Sequence, residues 1–140
     1  KGKWRTPTMP NHAPFIYIIG PLHAESVERI KANIVLAKGI AFEIQRTAHE
    51  MNMQVITFCP HAETGGWLIN IIRKVEVMQN EYHYMRAYLS LLMSGKVDAV
   101  YFIGSSPGAD VELMIAENMG IRVMWDMDDV GLFLTEWRDS

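Results

Sequence analysis

Short apolar runs, each closed by glycine, proline or polar residues, recur along the chain. Residues 15–19 form such a run ahead of Gly20-Pro21, and residues 54–58, 97–103 and 121–125 form similar ones. Runs of this length that are rich in β-branched and aromatic residues are typical of strands buried on both faces of a sheet. The pattern predicts a sheet of four or five strands.

Between these runs the apolar residues recur at steps of three and four, which is typical of amphipathic helices. Ser26 is a suitable N-cap for the first and longest of them. Its apolar stripe consists of Val27, Ile30, Ile34, Ala37, Ala41, Ile44, Ala48 and Met51. Four further apolar residues fall outside the stripe: Val35, Leu36, Ile40 and Phe42. Either this helix packs between other elements, or its surplus apolar surface contacts a second subunit.

Three later segments are also predicted to be helical. One has Met78, Tyr82, Met85, Leu89 and Leu92 on its stripe and ends near Ser94-Gly95. Another covers residues 110–119 before Gly120, and a final amphipathic segment starts near Met127. Strands that alternate with helices in this way predict an α/β domain, a doubly wound parallel sheet with helices on both faces.

The size and net charge of the chain limit the classes of protein to which it can be assigned. A chain of 140 residues and 16.0 kDa fits one domain, which we place at residues 15–140, with residues 1–14 as an extended or disordered lead-in. The net charge of −3 argues against binding a nucleic-acid polymer. Because Cys59 is the one cysteine and no apolar run reaches the ~20 residues of a membrane span, we expect a cytoplasmic protein.

Candidate binding residues follow the predicted strands, because ligands bind at the carboxyl ends of parallel strands. The first such loop contains Gly20, Pro21 and His23, and the second contains His61. Either histidine has the chemistry to touch a base or a phosphate, although an exposed loop histidine needs no ligand. The five histidines show no metal-ligand spacing, so we expect neither a metal nor a cofactor.

The third loop carries the most chemistry. Ser105, Ser106 and Gly108 precede a helix, where hydroxyls and backbone amides favour a phosphate or a sugar hydroxyl. Glu112 follows one turn later, a suitable position for a nucleophile or base acting on a sugar. Plain helix capping explains the same residue types, because serine and proline commonly start helices.

The order and spacing of several short motifs resemble the nucleoside 2-deoxyribosyltransferase superfamily, and more narrowly the small phage and bacterial proteins of unknown function placed beside it. The resemblance covers roughly residues 15–125. Its pieces are Ile16-Tyr17-Ile18-Ile19-Gly20-Pro21, Cys59-Pro60-His61, Asp98-Ala99-Val100, Ser106-x-Gly108-Ala109-x-x-Glu112 and Gly120-Ile121-x-Val123.

This resemblance implies a flavodoxin-like fold and chemistry at the N-glycosidic bond of a nucleoside or nucleotide. Glu112 matches the catalytic glutamate that attacks the anomeric carbon, and Tyr17 matches an aromatic residue that contacts that carboxylate or the sugar. Ser106 and Gly108 match the loop that meets the sugar or its 5′-phosphate. The specific hypothesis is hydrolysis of a nucleoside 5′-monophosphate or a related nucleotide.

One position departs from the family. Members commonly carry Arg-Ala-Asp-Leu on the helix before the third strand, whereas this chain has Arg86-Ala87-Tyr88-Leu89. A tyrosine, with an ordinary pKa of about 10, donates a hydrogen bond but is a poor general base at neutral pH. Tyr88 therefore favours an alternative, a non-catalytic protein that binds a nucleotide or an ADP-ribose-type ligand in a degenerate site.

The resemblance also implies a homodimer or higher homo-oligomer. Ten methionines and fourteen aromatic residues are many for a chain of this size, and the second predicted helix carries five of them: Met78, Tyr82, Tyr84, Met85 and Tyr88. Subunits of the resembling family pack through such helices and complete one another's pockets. We therefore expect residues 67–92 to lie near a shared site.

Overall fold

A four-stranded parallel sheet forms the centre of the computed structural model, which describes residues 12–21, 26–60 and 86–140. The strands are β1 (Phe15–Ile19), β2 (Ile56–Phe58), β3 (Ala99–Phe102) and β4 (Arg122–Met124). They lie in the order β2-β1-β3-β4, and every neighbouring pair is parallel. Strand order therefore reverses at β1, which places β2 on one side of it and β3 on the other.

Helices cover both faces of the sheet. They are α1 (Val27–Glu50), α2 (the helical residues 86–93), α3 (Pro107–Asn118) and α4 (Met127–Asp139). Buried residues of α1 and α4 share one apolar cluster, and those of α2 and α3 share another. This confirms the predicted α/β architecture with helices on both faces, and it is consistent with a flavodoxin-like fold.

Side-chain alternation along β1 separates the two clusters. Ile16 and Ile18 pack with α1 and α4, whereas Tyr17 and Ile19 pack with α2 and α3. Successive residues of a strand point to opposite faces, so the tyrosine of this apolar run is directed to the α2 and α3 side. All four side chains are fully buried, as expected for a central strand.

Helix α1 begins and ends close to the predicted limits. The Ser26 side chain accepts a hydrogen bond from the backbone N–H of Arg29, which confirms the predicted cap. The chain leaves the helix after Met51, where Asn52 adopts the left-handed region with φ of 56°. Its buried positions belong to the predicted stripe: Ile30, Ala37, Ile44 and Ala48.

Several element boundaries differ from the prediction, and β2 and β4 are shorter than the apolar runs of residues 54–58 and 121–125. β3 is shorter than the apolar run of residues 97–103. Its ends are set by pairing with β1 and β4, and apolar character alone does not determine them. α3 begins at Pro107 and not at Asp110. Its earlier start has a local cause, because Ser106 caps the helix and proline suits the first helical position.

Parts of three predictions lie outside the described residues. These are residues 1–11 of the lead-in, most of the segment 67–92, and His23 and His61 of the candidate site. Residues 12–14 are described, and the backbone carbonyl of His12 accepts a hydrogen bond from the Trp137 indole of α4. Among the helices described, none is both long and apolar enough to cross a membrane.

Candidate functional site

The candidate site lies where strand order reverses, on the face covered by α2 and α3. Tyr17 occupies the middle of β1 and pairs with Phe58 of β2 on one side and Val100 of β3 on the other. Glu112 lies on the inner side of α3 together with Ala109 and Ala116. In a doubly wound sheet a ligand crevice is expected beyond the carboxyl ends of the strands at this reversal, which on β1 is two residues after Tyr17.

Tyr17 and Glu112 meet although they are 95 residues apart in sequence. The Tyr17 hydroxyl donates a hydrogen bond to Oε2 of Glu112, and the two residues are 0% and 6% exposed. No described residue forms a hydrogen bond with the other carboxyl oxygen, Oε1. Because buried carboxyl oxygens are normally hydrogen-bonded, Oε1 is a group that a bound ligand would satisfy.

Burial changes the acidity of both side chains. It raises the pKa of Glu112 to about 7, while the hydrogen bond from Tyr17 acts in the opposite direction. The pKa of Tyr17 is raised far above its ordinary value, first by burial and then by the neighbouring Glu112 carboxylate. The phenol therefore stays protonated, and the carboxyl group titrates near neutral pH.

An aromatic wall borders this pair. The ring of Phe58 lies 5.5 Å from that of Tyr17 and 5.5 Å from that of Tyr88, measured between centroids. Phe15 lies 6.4 Å from Phe58 on the same side. Tyr88 thus lies close to the pair, and it contributes to raising the Tyr17 pKa.

Phe58 was not predicted from the sequence as a site residue. A phenylalanine at the end of an apolar run is as typical of a core position as of a binding site. Its place beside Tyr17 follows from the parallel register of β1 and β2. An available signal was its position at the end of an apolar run, directly before Cys59-Pro60.

The serines of the third loop form hydrogen bonds at the start of α3. Ser106 Oγ accepts from the Ala109 N–H at 3.1 Å and is the N-cap. Ser105 Oγ donates to the Asp110 carboxylate, with distances of 2.8 and 2.9 Å to its two oxygens. Glu112 is therefore not the cap of this helix, and its carboxyl group is directed to Tyr17 instead.

Gly20 and Pro21 follow β1 at the same edge of the sheet. A Cβ atom on Gly20 would lie 3.0 Å from Cβ of Ile103, which follows β3. A Cβ contact of 3.0 Å is tighter than most, so glycine favours this close approach, and the Ile103 N–H donates to Ile19 O at 2.8 Å. Gly20 therefore has a packing role that keeps the ends of β1 and β3 together.

Other features of the described residues lie away from this pair. A groove of about 280 Å³ opens at the opposite, amino edge of the sheet; its lining residues include His12, Gln54, Trp137 and Arg138. Asp98 accepts hydrogen bonds there from the Phe15 N–H and His12 Nε2, which is a structural role. Within residues 12–21, 26–60 and 86–140, no three His, Cys, Asp or Glu side chains form a group suited to a metal ion.

Comparison of the chain with known protein families, curated proteins and solved structures gives no significant match. The fold class defined by the sheet and helices is α/β and flavodoxin-like. The resemblance to the nucleoside 2-deoxyribosyltransferase superfamily rests on the residues of the chain itself. It stays a prediction, and so do the roles that it implies for individual residues.

Proposed function

We propose that this protein acts at the N-glycosidic bond of a nucleoside, with Glu112 as nucleophile and Tyr17 as the residue that orients it. The observation that carries the proposal is the buried hydrogen bond between these two side chains beside the reversal of strand order. A titratable carboxyl group with one oxygen that no described residue hydrogen-bonds is, at such a position, a candidate for chemistry. The only cysteine, Cys59, is buried and reduced, which favours a cytoplasmic setting for the activity.

The proposed reaction has two displacement steps. In the first, an ionised Glu112 oxygen bonds to the anomeric carbon, and the base leaves with the electron pair of the broken C–N bond and takes a proton from water. In the second, water attacks the same carbon, the ester C–O bond breaks, and the carboxylate returns while a proton goes to solvent. Two inversions retain the configuration of the sugar. A second base in place of water gives transfer instead of hydrolysis.

The start of α3 favours an unphosphorylated nucleoside over its 5′-monophosphate. Pro107 has no backbone N–H, and the N–H groups of Ala109 and Asp110 already donate to Ser106. The Asp110 carboxylate lies beside Ser105 at the position where a helix N-terminus would otherwise attract an anion. Residues 97–121 contain four acidic residues and neither lysine nor arginine, so a phosphate here meets negative charge.

A second candidate function is binding without turnover. It is favoured by the pKa of about 7 for Glu112, because a protonated carboxyl group is no nucleophile, and by Tyr88 in place of an acid. In this case the carboxyl group and the aromatic wall hold an intact nucleoside, and Oε1 pairs with a donor of the ligand.

Base release measures the proposed activity. The protein is incubated with the common ribo- and deoxyribonucleosides, and the free base is separated by chromatography. We expect Glu112→Gln to lower the rate by about 10³-fold or more, because the variant lacks the nucleophile. Glu117→Gln makes the same change at an exposed site on α3 and should leave the rate unchanged. If Glu112→Gln releases base at the normal rate, the catalytic proposal is wrong.

Calorimetry with the same ligands separates catalysis from binding. Stoichiometric heat, intact ligand afterwards and no released base would establish the second candidate and exclude the first. The absence of both heat and release for every ligand would exclude both functions.

The preference for nucleosides is tested with matched pairs, each a nucleoside and its 5′-monophosphate. We expect kcat/KM to favour the nucleoside by about tenfold or more, from repulsion between the phosphate and Asp110. Asp110→Asn should narrow this ratio, because the amide keeps the shape and removes the charge, whereas Glu117→Gln should not. Faster turnover of the monophosphates by the natural protein would contradict the preference.

A further inference from the structure

Glu112 is a buried carboxyl group with no cation beside it in the described part of the chain. Its one hydrogen bond there comes from the neutral Tyr17 hydroxyl, and none of the ion pairs between described residues includes it. A buried carboxylate without a countercharge is costly, because water no longer stabilises it. A ligand that brings a positive charge to this place would therefore stabilise the ionised form of Glu112, which is the form that acts as nucleophile.

The elements around Glu112 carry more negative than positive charge. β1 and β2 contain no charged residue, and the helical residues 86–93 of α2 contain one, Arg86. With about 100° between successive helical residues, Arg86 lies about 160° from Tyr88 around α2, and it is exposed. It is therefore on the outer side of this helix. α3 contains no lysine or arginine but has three carboxylates, those of Asp110, Glu112 and Glu117.

The aromatic wall of Phe58 and Tyr88 presents ring surface beside the same carboxyl group. Both side chains are half-buried, so part of each ring is accessible, whereas Tyr17 is completely buried. The π-face of a phenylalanine or tyrosine is negative and attracts a cation within about 6 Å of the ring centroid. A flat ring with a positive charge is therefore complementary both to the wall and to the carboxylate.

The chemistry of the leaving group favours the same kind of ring. A neutral base leaves as an anion and needs an acid, but the free phenol beside the pair is that of Tyr88, and a phenol with an ordinary pKa of about 10 is a weak acid. A cationic base needs no acid. Oε1 of Glu112 bonds to the anomeric carbon, the C–N⁺ bond breaks, and its electron pair leaves the ring nitrogen neutral. Water then hydrolyses the ester as described above.

We propose that the substrates of this site are pyridinium nucleosides, in which the base is a cation. The base ring lies against Phe58 and Tyr88, and the positive charge at the glycosidic nitrogen faces Glu112. This inference rests on the proposed function and names its substrate class.

Base release from cationic and neutral nucleosides tests the proposal. The probes are nicotinamide riboside, whose base is a pyridinium, and the neutral nucleosides inosine and uridine. We expect kcat/KM for nicotinamide riboside, corrected for spontaneous hydrolysis, to be higher by about 100-fold or more, because its base leaves without an acid. Equal or faster turnover of inosine or uridine would overturn this proposal and leave the proposed function standing. Release from no nucleoside would contradict both.

Binding of two product-like ligands separates recognition of charge from reactivity. N1-methylnicotinamide and nicotinamide share one ring and differ by a methyl group and a positive charge. At about pH 8, where Glu112 is mostly ionised, calorimetry should show about tenfold or more tighter binding of the cation. Glu112→Gln should remove this preference, and Glu117→Gln, on the same helix but exposed, should keep it. Equal affinity of the natural protein for both ligands would overturn the proposal.

Tyr88→Leu tests the position of the base ring. It should weaken the binding of N1-methylnicotinamide by about three- to tenfold, whereas Tyr88→Phe keeps a ring face and should retain most of the affinity. Trp125→Leu is the control, because this partly exposed aromatic residue follows the edge strand β4. The melting temperature of each variant verifies folding. Unchanged affinity in a folded Tyr88→Leu variant, or an equal loss in Trp125→Leu, would contradict the proposal.

Discussion

At the scale of single residues, Glu112 links the candidate site to stability. Its pKa rises from an ordinary 4.5 to about 7 because burial disfavours the charged form. The folded state therefore binds a proton more tightly than the unfolded state. This contribution is fully present below about pH 4.5, is lost as pH rises towards 7, and changes little above it.

We expect the free energy of unfolding to fall by up to about 3 kcal/mol from this group alone between about pH 4.5 and 8. Glu112→Gln has no proton to lose, so its stability should fall less over the same range. Urea unfolding of both proteins at several pH values measures the difference. Glu117→Gln should follow the natural protein, and parallel profiles for the protein and Glu112→Gln would contradict the shifted pKa.

Catalysis and stability place opposite demands on this carboxyl group. A nucleophile must be ionised, whereas the fold is more stable when Glu112 is neutral. The hydrogen bond from Tyr17 opposes the effect of burial and so keeps the pKa closer to neutrality than burial alone would. Such a compromise between stability and a polar group in the core is common at functional sites.

At the scale of elements, the ends of β1 and β3 approach closely at Gly20, where a Cβ atom would make a tight contact with Ile103. Gly20→Ala should cost about 1–3 kcal/mol, because the new methyl would lie 3.0 Å from the rigid Cβ of Ile103. Gly104→Ala is the matched control, since among the described residues its methyl would meet only Pro21 Cδ, at an ordinary 3.8 Å. Thermal unfolding compares the two, and equal losses would contradict this account.

Local signals identified most elements. The Ser26 cap and the three- and four-residue spacing indicated α1, and the apolar run before Gly20 indicated β1. Strand ends were less predictable, because pairing with neighbours decides them. The start of α3 was missed by three residues, although Ser106 and Pro107 together are a recognised start signal.

The sequence predicts only part of the candidate site. Glu112 and Tyr17 were named from the motif, but their hydrogen bond depends on the rotation of α3 and on which face of β1 the tyrosine occupies. Neither is set by local spacing alone. Phe58 needed the register between β1 and β2, and Asp110 needed the turn that brings it to Ser105.

At the scale of the whole molecule, the candidate site lies on one side of the sheet. The exposed apolar residues Val35, Leu36 and Phe42 of α1 lie on the other. Glu112 and Tyr17 lie under α2 and α3, whereas the outer face of α1 lies beyond the other apolar cluster.

The central position of β1 also determines when this protein is able to fold. Ile16 pairs with Ala99, 83 residues later, and with Thr57 on its other side. Contacts so distant in sequence slow folding, because the intervening chain must be brought together before they form. During synthesis, β1 and α1 emerge long before β3. The apolar β1 therefore has no strand to pair with on that side until β3 emerges. We therefore expect the nascent chain to be exposed to aggregation through β1 until β3 has left the ribosome.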